Sequence, residues 1–154
     1  LRLAKANRNY AVEYIRNGVR ELVGVVGRAR ALELGTSAAR LTGLQNWRRL
    51  SQVVETSDGG PDEAARLLAE LFRGMGDEVM VEKQDDDAGV TILQSGLRIA
   101  RGLSGEARED VLACWIELWR GVVHGHRDFM DVRASRTADG LCWTISASTA
   151  ASSI

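Results

Sequence analysis

Residues 104–125, SGEAREDVLACWIELWRGVVHG, constrain this chain more than any other stretch. Advancing about 100° per residue along a helix places Leu112, Trp115, Ile116, Trp119, Val122 and Val123 on one broad apolar face. Ser104 can cap the start, acidic residues crowd the first turns where they complement the helix dipole, and Gly125 can end it. So wide an apolar face has to be covered, and the flanking residues indicate by what. On either side the hydrophobic period drops from about 3.6 to 2. Val79 and Val81 alternate with polar neighbours, DDDAG is turn material, and VTIL continues a β-rich run, so residues 78–95 read as a hairpin. FMDVRASR and LCWTISAS flank TADG, whose Asp139-Gly140 is a strong turn signal, and Leu141, Trp143, Ile145 and Ala147 share one face of the last strand. The central segment is therefore a core helix laid across an antiparallel sheet of about four strands.

Helices are also expected before the first hairpin. Val12, Ile15, Val19, Leu22, Val26 and Ala29 fall at spacings of three and four, which predicts a helix over 8–33. Gly18, Gly24 and Gly27 each cost such a helix about 1 kcal/mol relative to Ala, so they point to close approach by another helix or to a break near Gly24. Gly35 can terminate it, Thr36 or Ser37 can cap a second helix over 37–56, and Leu41, Leu44, Trp47, Leu50 and Val54 mark the buried side of that helix. In SDGGPDE, Gly60 suits the cap and Pro61 the first turn of a third helix, with Leu67, Leu68, Leu71 and Phe72 inside. The expected fold class is α+β: N-terminal helices, then two antiparallel β-hairpins with a core helix packed on the sheet. Residues 1–154 read as a single domain with a frayed tail over about 148–154.

A chain of 154 residues with 45% apolar side chains buries roughly 68–70% of its unfolded surface, so it needs neither disulfides nor a structural metal to hold a core. No run approaches the ~18 apolar residues of a membrane span, and LRLAKANRNY lacks a signal-like apolar region, so the expected compartment is the cytoplasm, with no membrane partner. Cys114 and Cys142 lack metal or redox spacing and read as buried reduced thiols. Residues 1–50 carry ten Arg and Lys against three Glu, whereas residues 51–91 carry three against eleven. The basic residues are spread around a helical pattern instead of forming one face, which argues against nucleic acid. They suit a solvated surface facing the acidic segment of the same or a neighbouring subunit, and a homo-oligomer is expected.

Chemistry gathers on the margin of the core helix. Glu117, Arg120 and His124 fall within an arc of about 60°. Glu117 and Arg120 are three residues apart and Arg120 and His124 four, so each pair can touch, while Glu117 and His124 lie about 10 Å apart along the axis. A base, an anion holder and a proton donor would thus line one edge, with Trp115 and Trp119 as an apolar wall. The same pattern serves a plain amphipathic helix: Glu and Arg pair at its margins, and a His in the last turn gains from the dipole. Tyr10 and Tyr14, one turn apart, can line a pocket or an interface; Glu82, Gln94 and Arg133, the last on a face with Phe129 and Asp131, can face a cavity or solvent. His124 and His126, followed by Asp128 and Asp131, have suitable ligand chemistry but straddle a helix end, and no metal is expected. No phosphate loop or nucleophile elbow is present, so no cofactor is expected.

In layout the chain resembles the L-2-amino-thiazoline-4-carboxylic acid hydrolase-like family of small bacterial α+β proteins. The likeness runs from NYAVEYIRNGVRELVGVVGRARALELG through AARLTGLQNWRRL and LACWIELW to the TADGLCW turn. Cys114 and Cys142 match two of the cysteines usual in that family, while the position of a third falls near Gln94 and Ser95. The resemblance implies hydrolysis of a carbon–nitrogen bond in a small cyclic amidine-like substrate. On that reading Glu117 is the base, His124 the proton donor and Arg120 the anion holder. Trp115, Trp119, Tyr14, Gln94 and Arg133 would then contact the substrate. Two rivals share the plan: a non-enzymatic ligand-binding module similar to vinyl-reductase-type sensory domains, and an oligomeric scaffold with the Arg-rich first helix as its interface.

Overall fold

The computed structural model describes residues 2–52, 59–83, 89–126 and 130–148, with side chains from residue 12 onward and that of Ser51 excepted. The order is α1 (Arg2–Val26), α2 (Arg28–Ser51), α3 (Pro61–Met75), β1 (Glu78–Lys83), β2 (Val90–Ser95), a 3-10 turn at Arg98–Ala100, α4 (Gly105–Gly125), β3 (Met130–Arg136) and β4 (Gly140–Ala147). The fold is α+β with N-terminal helices, as the periodicity predicts. The DDDA turn segment, Asp128, Phe129 and the tail beyond residue 148 fall outside the described residues.

The four strands form one antiparallel sheet in the order β1-β2-β4-β3, the two hairpins joining through β2 and β4. Its inner face carries Ile92, Trp143 and Ile145, all fully buried. Phe72 of α3 stands between Trp143 (ring centres 5.6 Å apart) and Trp119 of α4 (5.3 Å, edge to face), so α3 and α4 form the layer beneath the sheet. A third layer, α2, lies on the other side of α4. Covered on both sides, α4 needs the wide apolar surface that its sequence carries.

The boundary between the first two helices differs from expectation. The chain breaks at Gly27, where φ is +80°, and α2 then runs uninterrupted through Gly35. Gly35 does not stop a helix; a Cβ there would lie 2.9 Å from the Cys114 sulfur. Thr36 does not cap one either, because its hydroxyl donates back to the Leu32 carbonyl (2.6 Å) within the helix. The close approach that glycines signal also lies elsewhere. Nothing comes within 4 Å of a Cβ added at Gly18 or Gly24, whereas one at Gly43 would sit 2.1 Å from the Leu118 carbonyl oxygen and one at Gly121 would sit 2.2 Å from that of Arg40. There α2 and α4 cross backbone against backbone. They run parallel: Arg28 pairs with the buried Asp110 (2.8 Å) and with Glu106 (3.2 Å) at one end, and Gly125 admits the Trp47 ring at the other.

Candidate functional site

The tight crossing of α2 and α4 governs what the expected catalytic groups can do. It brings Arg40 of α2, which no local pattern in the sequence marks, onto the charged margin of α4. Glu117 accepts from Arg120 (2.6 Å) through one carboxylate oxygen and from Arg40 (3.2 Å) through the other. Arg40 also donates to Nδ1 of His124 (3.0 Å), and Nε2 of His124 lies 3.1 Å from the Met130 carbonyl oxygen. A guanidinium only donates and a carbonyl only accepts, so this geometry defines a neutral imidazole protonated at Nε2. Burial, reinforced by the Arg40 charge, lowers the His124 pKa from its ordinary value. Glu117, Arg120 and His124 do share one half-buried cluster, but Arg40 joins them into a pin between helices. Both nitrogens of His124 and both oxygens of Glu117 are engaged within the protein.

The remaining expected residues are dispersed. Trp115 and Trp119 lie in the core, edge to face with ring centres 5.2 Å apart, and neither indole N–H finds an acceptor among the described residues. Gln94 is fully buried inside a relay: Trp143 Nε1 donates to its carbonyl (2.9 Å), its amide donates to Asp77 (2.7 Å), and the Arg98 backbone N–H donates to the other Asp77 oxygen (2.9 Å). Burial raises the Asp77 pKa against these hydrogen bonds. Tyr14 is 81% exposed on α1. Arg133 points from the outer sheet face, pairs with Asp131 (2.8 Å) and borders a cleft of about 360 Å³ with Thr144 and Ser146. Glu82 is exposed on the same outer face.

His124 and His126 turn to different partners. His126 lies 3.4 Å from buried Glu63 and packs against Trp47, while its Nδ1 is buried with no hydrogen-bond partner among the described residues. Among the described residues, no three His, Cys, Asp or Glu side chains converge as a metal site. Both cysteines are free. Burial, with Asp110 nearby, pushes the Cys114 thiol up to about 11; Cys142 is only partly buried, on the outer sheet face.

Another concavity lies beneath the β1 edge. A slot of about 510 Å³ separates α3 from the inner face of β1 and β2. Val81 and Pro61 give it exposed apolar surface, Ala69 and Val90 lie beneath it almost fully covered, and Asp62, Arg66, Arg73 and Lys83 form its polar margin. Val81 points inward, in register with fully buried Ile92 on the next strand, yet it is 40% exposed. Glu63 lines the inner end; one oxygen accepts the Gly59 N–H and the other faces His126. The signal for this slot was in the sequence: Asp62, Arg66, Ala69 and Arg73 recur at helical spacing on α3, and Val81 alternates in β1. What no pattern reveals is that the two stripes stand apart.

Among the described residues, no helix is long and apolar enough to cross a membrane. Compared with protein-family models, curated proteins and solved structures, the chain matches none of them.

Proposed function

We propose that this chain is a small-ligand-binding module whose site is the slot between α3 and the β1–β2 hairpin. The observation that carries this reading is Val81, an inward-facing apolar residue left 40% exposed over a cleft of about 510 Å³. That volume is within the range of small-molecule sites, and five charged residues among the ten that line it favour a polar or ionic ligand. Elsewhere the acid–base groups on which hydrolysis would depend are engaged with one another. A neutral His124 already donating to a carbonyl has no proton to offer a leaving nitrogen without first breaking that bond.

A metabolite thermal-shift screen tests the reading, since a binder raises the melting temperature by mass action. The expected hit is lost in Val81→Trp, which fills the slot, and kept in Glu117→Gln and His124→Gln. A hit with the opposite pattern moves the site to α4 and defeats the proposal. Turnover of 2-amino-thiazoline-4-carboxylate by the wild type, abolished in Glu117→Gln while that variant remains folded, would restore the hydrolase implied by resemblance.

A further inference from the structure

The two edges of the sheet differ. On β3 the inward residues Met130 and Val132 are buried, whereas on β1 Met80 is 58% exposed on the outer face and Val81 is 40% exposed on the inner one. β1 pairs with β2 residue for residue, so it carries no bulge, and it contains no proline. An edge of this kind is a template for another strand. Which of its backbone groups are free follows from the last turn. The Thr137 N–H donates to the Gly140 carbonyl oxygen (3.0 Å), so Gly140 turns its backbone toward β3. Bonding direction alternates along each strand. Leu141, Trp143 and Ile145 therefore bond to β2, and Thr91, Leu93 and Ser95 bond to β1. In β1, Glu78, Met80 and Glu82 are used in that ladder, while Val79, Val81 and Lys83 present N–H and C=O outward. Arg73 reaches the Val79 carbonyl oxygen from that side (3.5 Å), and a carbonyl has room for a second donor.

We infer that β1 pairs antiparallel with β1 of a second copy about a two-fold axis between their Val81 residues, joining two four-stranded sheets into one. The register is set by charge and by the free groups. With Val81 on the axis, Val79 stands opposite Lys83 and Met80 opposite Glu82, and every outward residue of both strands is bonded. With Met80 on the axis, Glu78 would stand opposite Glu82 on both sides, which is destabilising. Lys83 would then also meet Asp77, whose N–H is already given to Phe72 (3.1 Å). In the favoured register Lys83 nears the other copy's Arg73, but each brings its own carboxylate, Asp62 and Glu70. A disordered peptide on this edge would lose conformational entropy in becoming a strand; a second β1 is one already. Six residues make a seam about 20 Å long, and the sheet with α3 beneath is about 20 Å deep, so about 800 Å² is buried in all. That is below the ~1,200 Å² of stable complexes, so the dimer is a weak one. The pairing goes beyond the binding reading and needs no ligand.

Sedimentation velocity of the full chain should show monomer at about 1 μM and a shift toward dimer by about 1 mM. Val81→Pro removes the N–H on the axis from both copies and leaves the β1–β2 ladder whole, because that N–H faces outward. It should weaken association about thirtyfold. Val81→Lys sets two like charges opposite one another and should do the same, which covers failure of the proline variant to fold. Oxidation of variants made with Cys142→Ser reads the register. Val81→Cys should cross-link, since bonded antiparallel partners lie about 5.5 Å apart at Cα, within disulfide reach. Met80→Cys should not, because its two copies lie about 8 Å apart across the seam. A monomer over the whole range, a dimer that Val81→Lys leaves intact, or cross-linking through Met80→Cys and not Val81→Cys each overturns the inference. A monomer that still gives a metabolite hit lost in Val81→Trp rejects the seam and keeps the slot.

Discussion

Replacing Gly121 with Ala is a sharp test of the α2–α4 crossing, because a second glycine supplies the opposite result for the same chemical change. The added methyl would sit 2.2 Å from the Arg40 carbonyl oxygen, where ordinary contact begins near 3.4 Å. The helices must therefore part by about 1.2 Å, since neither the methyl nor a backbone carbonyl can swing aside. A displacement of that size would stretch the 3.0 Å Arg40–His124 and 3.2 Å Arg40–Glu117 contacts beyond hydrogen-bonding distance. Overpacking of this kind costs about 1–3 kcal/mol. Better helix propensity returns about 1 kcal/mol, but the loosened Arg40 contacts add to the loss, so we expect Gly121→Ala to destabilise by about 2 kcal/mol. At Gly18 a Cβ meets nothing within 4 Å, and Gly18→Ala should stabilise by about 0.5–1 kcal/mol. Urea unfolding at constant m-value measures both, and in a chain of this length the difference corresponds to roughly 6–10 °C in melting temperature. A Gly121→Ala variant as stable as the wild type would refute the backbone-to-backbone crossing.

Three further outcomes are expected. Gln94→Leu should cost about 3 kcal/mol in urea unfolding, because it strands the Trp143 N–H and one Asp77 oxygen in the core; a loss below 1 kcal/mol would mean the relay contributes nothing. Since His124 has a lowered pKa in the folded chain, its unfolded form takes up a proton first as pH falls below about 6.5. Stability should therefore decline from there down to the lowered native value, and the decline should be shallower in His124→Gln; identical pH profiles would contradict the assignment. With its thiol pushed up to about 11 and buried, Cys114 should resist a thiol reagent at pH 8 until the protein unfolds, and mass mapping of the modified cysteine reads this directly.

The sequence made the elements legible where a strong period coincided with burial on two sides. The face of α4, the alternation in β4 and the Gly60-Pro61 start of α3 are local signals with local consequences. Gly35 misled because a helix-stopping glycine and a glycine passed closely by another helix look alike until the second helix is known. Arg40 escaped notice for the same reason, since its importance comes from residues 77 and 84 positions away. The grouping of Glu117, Arg120 and His124 followed from helical geometry, but their availability for chemistry depended on what α2 placed against them. Gln94 reads as a polar strand residue with two possible faces, and only the Trp143 and Asp77 partners fix it inward.

The parallel seating of α2 on α4 has a mechanical consequence. With carbonyls against missing side chains, the two rods share no compressible cushion and have no room to slide, so they behave as a single stiff beam.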